Sequence, residues 1–167
     1  MKNISLTRWF NRQKADNQRG DESSISYADV SILIVDDSRT QLYAMERMLQ
    51  SVGIRTVTAE NGKQGILMAR HKKPDLILMD IVMPEINGFQ ATRYLTRQPD
   101  TGHIPIIIIS GSNQESDKAW GLKLGARDFM NKPVEKAELL RKIDMLLKAK
   151  PKLIRAERHV EDMLHAV

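Results

Sequence analysis

The chain has 167 residues, 41% of them apolar and 28% charged, with 26 Lys and Arg against 21 Asp and Glu. That suits one domain with appendages, no run comes near the roughly 18 apolar residues of a membrane span, and the lack of cysteine excludes disulfides, thiolate metal sites and a thiol nucleophile. The net charge of +5 is spread as +2 over residues 1–28, +2 over 29–148 and +1 over 149–167, without a basic run, which argues against a nucleic-acid partner.

Residues 1–28 read as an N-terminal extension. Asn11 to Ser26 is rich in Asn, Gln, Ser, Asp and Arg, a composition expected to be partly disordered. Ahead of it, Ile4, Leu6, Trp9 and Phe10 among Lys2, Arg8 and Arg12 form either a frayed tail or a short amphipathic anchor. The opening MKNISLTRWFNRQK lacks the apolar core of a signal peptide, so a cytoplasmic location is expected.

From Ser31 the pattern becomes regular. SILIV (Ser31–Val35) predicts a strand ending in Asp36-Asp37, and Asp37-Ser38 offers caps for a helix carrying Leu42, Met45, Met48 and Leu49, closed by Gly53. IRTVT (Ile54–Thr58) predicts a second strand, and Asn61 caps a helix with Ile66, Leu67 and Ala69. After Pro74, DLILM (Asp75–Met79) predicts a third strand that runs into Asp80. Asn87-Gly88 opens a helix with Phe89, Ala91, Tyr94 and Leu95 on its apolar side. IPIIII (Ile104–Ile109) is apolar enough to require cover on both faces, and it ends in Ser110-Gly111-Ser112-Asn113. A helix with Ala119, Trp120, Leu122 and Leu124 follows, then RDFMN (Arg127–Asn131), Lys132-Pro133, and a helix with Leu139, Leu140, Ile143, Leu146 and Leu147.

Strand and helix thus alternate five times over residues 29–148. This predicts an α/β domain, a doubly wound five-stranded parallel sheet flanked by five helices. Ligands of such sheets bind beyond the carboxyl ends of the strands. Asp36 and Asp37 end strand 1, Asp80 ends strand 3, Ser110 ends strand 4 and Lys132 follows strand 5, so strand position alone brings all five to one edge. Three carboxylates together repel one another and favour protonation unless a cation joins them. An all-oxygen donor set with room for water suits Mg2+. With Lys132 as a point charge and Ser110 as a hydroxyl donor, the edge is built to receive a phosphoryl group, and Asp80, ending a central strand, is placed to form an aspartyl phosphate.

IVDDS (Ile34–Ser38), LMDIVMPEINGF (Leu78–Phe89), IIISG (Ile107–Gly111) and GARDFMNKP (Gly125–Pro133) resemble the receiver domain of two-component response regulators, over about residues 29–148. The likeness is to the stand-alone, chemotaxis-type receivers. Within them, MDIVMPEINGFQATR (Met79–Arg93) and DKAWGLKLGARDFMNKPV (Asp117–Val134) are similar to receivers of the type IV pilus systems that control twitching motility. The resemblance implies a flavodoxin-like strand order, 2-1-3-4-5. It implies Asp80 as phosphoacceptor, Asp36 and Asp37 as the acidic pair for Mg2+, and the Val82 backbone carbonyl as a further metal ligand. Ser110 is the implied switch hydroxyl, Lys132 the phosphate-pairing lysine, and Gly111 a position kept small for the phosphoryl donor. Pro133 is implied to follow a cis peptide bond, and Phe129 is the implied switch aromatic, where many relatives carry Tyr. The implied partners are a histidine kinase of the chemosensory type and a protein effector bound through helix 4, strand 5 and helix 5.

Other readings stand beside these. Ser110 also fits a helix N-cap, Phe129 plain core, and Trp120 packing on the fourth helix. His71, His103, His159 and His165 read as surface residues, Glu161 and His165 share a helical spacing, and Asn3-Ile4-Ser5 fits a glycosylation triplet. In the tail, residues 149–167, Pro151 can start a short helix lined by Leu153, Ile154, Val160, Met163, Leu164 and Val167. That helix either packs back on the domain or serves docking or homodimer formation, and the tail is too short for a DNA-binding output domain. At the level of function, the rivals to a signalling switch are a phosphate sink that drains a shared kinase and a non-phosphorylated scaffold acting through its ends.

Overall fold

The computed structural model describes residues 26–149. Five parallel strands, β1 (Ser31–Val35), β2 (Arg55–Ala59), β3 (Leu76–Asp80), β4 (Ile106–Ser110) and β5 (Asp128–Asn131), form one sheet in the order β2-β1-β3-β4-β5. Between and after them run α1 (Arg39–Gln50), α2 (Gly62–Lys72), α3 (Gly88–Arg97), α4 (Glu115–Lys123) and α5 (Lys136–Lys148). The expected doubly wound architecture and strand order are what the chain adopts. The order reverses between β1 and β3, and that is where a crevice opens at the carboxyl edge.

Successive strand residues point to opposite faces, so each strand feeds two cores. Ile32, Ile34 and Leu78 join Leu42, Met45 and Leu49 of α1 and Leu139, Ile143 and Leu147 of α5. Leu33, Val35, Ile77, Met79 and Ile108 join Ala69 of α2 and Ala91 and Leu95 of α3 on the other side. Every residue of β3 and β4 is buried. Each large apolar side chain so buried contributes about 1.5–3 kcal/mol, which explains why these two strands carry no alternating polar pattern.

Strand limits shift by one or two residues from the sequence expectation because ladder pairing sets them. Asp80 pairs in register with Ile109, and Ser110 with Asn131, so both polar residues are the last rungs of their strands. Asp75, expected to open β3, lies before it, where its carboxylate accepts the Ser31 N–H at 2.9 Å. Ser38, Asn61 and Asn87 cap α1, α2 and α3, and Asn87 with Gln90 forms a reciprocal capping box.

The fourth helix departs from its expected pattern. Of α4 only Gly121 is buried, while Ala119, Trp120 and Leu122 are exposed and Leu124 is half-buried. A Cβ at Gly121 would lie 2.7 Å from Ile108 Cδ1. The helix backbone itself therefore rests on β4, and its larger side chains splay outward. Tyr94 and Leu67, expected on inner faces of α3 and α2, are exposed as well. Packing also reaches back to a 3-10 turn, Tyr27–Asp29, whose Tyr27 hydroxyl donates to Asp144 Oδ1 of α5 at 2.7 Å. Trp9-Phe10, the Asn3 triplet, His159, His165 and the apolar tail positions lie outside the described residues.

Candidate functional site

The residues at the carboxyl edge converge. Asp36 follows β1, its N–H donating to the Ala59 carbonyl at 3.1 Å, and its Oδ1 accepts the Ser38 N–H at 2.8 Å. That short loop buries Asp36 and leaves Asp37 exposed. Asp80, the last residue of β3, is buried. Carboxylate oxygens of Asp36, Asp37 and Asp80 all lie within 4.8 Å of one another. From the far side of the crevice Lys132 Nζ reaches Asp80 Oδ1 at 2.8 Å and Asp36 Oδ2 at 3.1 Å. The Lys132 N–H donates to the Ser110 carbonyl at 2.7 Å, which ties the end of β5 to the end of β4, and the Lys132–Pro133 peptide bond is cis.

The electrostatics are unbalanced. Burial pushes the Asp80 carboxyl above its ordinary range and the charges of Asp36 and Asp37 push the same way, outweighing the Lys132 hydrogen bond that pulls it down. For Lys132, burial lowers the ammonium, but the hydrogen bonds to Asp80 and Asp36 outweigh it and hold the group above its ordinary value. One ammonium among three carboxylates leaves an uncompensated negative site. The oxygen-only donors fit a hard divalent cation, and either such a cation or a proton relieves the repulsion.

The remaining named residues surround this centre. Ser110 is buried and its Oγ accepts the Ser112 N–H at 2.9 Å. The N-cap of α4 is Gln114, so Ser110 folds the loop and does not cap the helix. A Cβ at Gly111 would meet nothing within 4 Å, leaving the approach over Ser110 open. Val82 is exposed in the β3–α3 loop. That loop is drawn tight by the Gly88 N–H, which donates to the Ile81 carbonyl at 2.9 Å, and a Cβ at Gly88 would run into the backbone carbonyl of Asp80. Phe129 is buried in the α2–α3 side core and lines a cleft of about 590 Å3 with Asn113, Lys118, Lys132 and Glu138.

A second ionic link went unread in the sequence. Asp128 Oδ1 accepts both the Phe129 N–H at 2.7 Å and the Lys142 ammonium at 2.8 Å. A spacing of fourteen residues between a strand and a helix carries no periodic signal, so only the fold could reveal the pair.

The same fold recurs in known proteins. The family model described as "Response regulator receiver domain" matches residues 32–144. Protein PilH of Pseudomonas aeruginosa is 52% identical over 116 residues, covering 70% of this chain and 96% of that protein. Among solved structures, the receiver domain of sensor histidine kinase PA1611 of Pseudomonas aeruginosa, with a magnesium ion coordinated in its active site cleft, aligns with a TM-score of 0.67 at 31% identity, over 72% of this chain and 98% of that one. Vibrio cholerae chemotaxis protein CheY4 aligns with a TM-score of 0.67 at 26% identity, over 71% and 98% of the two chains.

Proposed function

The chain belongs to the response regulator receiver domain family and is similar to PilH, and from this we propose that it accepts a phosphoryl group from a histidine kinase onto Asp80 and signals through protein contacts. The observation that carries this reading is the gathering of the Asp36, Asp37 and Asp80 carboxylates, with the Lys132 ammonium on Asp36 and Asp80. A carboxylate oxygen of Asp80 attacks phosphorus as the P–N bond of a phosphohistidine breaks, the electron pair leaving with the imidazole nitrogen. Water later reverses the acyl phosphate by cleaving its P–O bond, returning Asp80 and inorganic phosphate. The 2.8 Å contact of Lys132 with Asp80 supports a pairing of its ammonium with a phosphoryl oxygen, and the burial of Ser110 next to the open position at Gly111 supports a hydroxyl that turns toward the same group.

A magnesium ion would be held by Asp36, Asp37, Asp80 and the Val82 carbonyl, and would neutralise charge on the phosphoryl oxygens. Asp36 and Asp80 are both held by Lys132, the space at Gly111 is open, and Phe129 and Lys132 line the cleft that α4, β5 and α5 border. We assign effector binding to that α4–β5–α5 face, with Ser110 and Phe129 biasing two states of it. The pathway the PilH likeness supports is chemosensory control of type IV pilus motility. Residues 29–148 form the receiver, with 1–28 and 149–167 as appendages.

The test is intact-mass analysis after incubation with Mg2+ and a small phosphodonor, or a phosphorylated kinase core, beside an Asp80→Asn control. An adduct of one phosphoryl group that needs both Mg2+ and Asp80 supports the reading, and its lifetime separates a switch from a phosphate sink. No adduct from either donor, with no response to beryllofluoride, would leave the scaffold reading in its place.

A further inference from the structure

The outer surface of α3 has the composition of a protein-docking site. Gln90, Arg93 and Arg97 recur at helical spacing and are all exposed, opposite the buried Ala91 and Leu95, and α3 contains no acidic residue. Two large aromatics of α3 and the adjoining α4 have much of their surface in water: Tyr94 at 40% exposure on the α2 side of α3 and Trp120 at 48% on α4. Neighbouring helices are fastened to α3 on both sides. Arg70 of α2 pairs with Asp100 at 2.9 Å and interacts with the Tyr94 hydroxyl, while Thr96 Oγ1 donates to the Leu124 carbonyl at 2.9 Å. Lys123 Nζ lies 5.6 Å from the Trp120 ring centroid, adding a cation on that flank.

Exposed Trp, Tyr and Arg on a rigid frame are the residue types that dominate binding energy at protein interfaces. No ion pair engages Arg93 or Arg97 among the described residues, so their charge is available to an incoming group. We propose that the α3 surface, with Tyr94 and Trp120 of the adjoining α4, docks an acidic segment of another protein that carries apolar side chains between its carboxylates. Taken whole, the chain's own ends carry the wrong charge: residues 1–28 carry +2, and in 149–167 Glu157, Glu161 and Asp162 are outnumbered by Lys150, Lys152, Arg155 and Arg158. A second copy presenting the same stripe would meet like charge. Carboxylates on the adjoining loops and on α4, those of Glu85, Asp100 and Asp117, disfavour a continuous polyphosphate, whereas discrete carboxylates on a peptide can avoid them. The surface is centred on α3 and borders the α4–β5–α5 face at Trp120 and Lys123, and the proposal does not depend on phosphoryl transfer. It does sit close to Asp80, because Gly88 at the start of α3 packs on the Asp80 backbone.

The test uses the full chain carrying Trp9→Phe, so that Trp120 is the only indole. The probe is a synthetic 20-residue helical peptide of Glu, Ala and Leu, with the same peptide carrying Lys for Glu as control. Saturable change in Trp120 emission with the Glu peptide alone is expected. Arg93→Glu with Arg97→Glu should weaken it at least tenfold, and the milder Arg93→Gln with Arg97→Gln should weaken it less. Lys136→Glu with Lys148→Glu, on α5, should leave it within twofold. Far-UV circular dichroism checks that each variant is folded. No saturable change, or equal loss in the α3 and α5 variants, overturns the proposal. Tighter binding of a 20-base-pair DNA duplex or of phosphatidylglycerol vesicles, lost in the same α3 variants, overturns the choice of a protein partner.

Discussion

Two lysines, Lys132 and Lys142, each bridge elements through carboxylates, and they do so in opposite ways. Lys142, 13% exposed, meets Asp128 at 2.8 Å, with Glu138 at 4.0 Å, and Asp128 is further satisfied by the Phe129 N–H. That cluster is closed. Lys132, 20% exposed, meets Asp36 and Asp80 while Asp37 stands by, so its cluster holds more negative charge than it can neutralise. Burying surplus charge costs free energy unless a ligand completes it. A balanced pair reads as architecture, and an unbalanced one reads as a site suited to a cation and an anion together.

The sharpest break of this comparison is to remove each lysine in turn. Lys132→Ala is expected to reduce the beryllofluoride response in Mg2+ by more than tenfold. Lys142→Ala is expected to leave it within about threefold while lowering stability by about 1–2 kcal/mol, as for a charged hydrogen bond left without its partner. Urea unfolding and a beryllofluoride titration on both variants check this. Equal loss of response in the two would collapse the distinction.

The next effect concerns Asp80 in metal-free protein. Its folded-state pKa is raised, so the carboxyl is tolerated when protonated, and its contribution to stability is lost as pH rises through the folded value. Asp80→Asn should therefore stabilise the protein at pH 7 in chelator, by about 1 kcal/mol and a few degrees in Tm. The gain should shrink toward about pH 4, near the ordinary carboxylate range. Thermal unfolding at the two pH values measures it, and a gain independent of pH would show that charge is not the cause.

The smallest effect lies just ahead of β1, where Tyr27 is bonded to Asp144 of α5. Burial first, then the hydrogen bond to Asp144, raises the Tyr27 hydroxyl from 10.0 to about 12. The link is complete below the ordinary tyrosine value and is lost as pH rises through the folded one. Tyr27→Phe should cost about 0.5–1 kcal/mol at neutral pH, measured by urea unfolding, with the difference from wild type fading in strong alkali.

Much of this is legible in the sequence itself. Strand–helix alternation, the caps Ser38, Asn61 and Asn87, and the polar residues ending apolar runs are local features. They placed Asp36, Asp37, Asp80, Ser110 and Lys132 on one edge because a parallel sheet puts all its strand ends together. The outward turn of Trp120, Tyr94 and Leu67 was not legible, because an apolar residue at helical spacing looks the same whether it faces a core or water. Gly121 decided the matter for α4 by letting the backbone touch β4.

By itself the sequence determined the fold class, the edge and the residue types that gather there, since periodicity and strand ends are properties of neighbouring positions. Tertiary structure alone decided which carboxylates share Lys132, that Lys142 is sequestered by Asp128, that Tyr27 belongs to the packed body, and that Tyr94 of α3 and Trp120 of α4 face water. Each of these joins residues far apart in the chain, and only packing in three dimensions sets such distances.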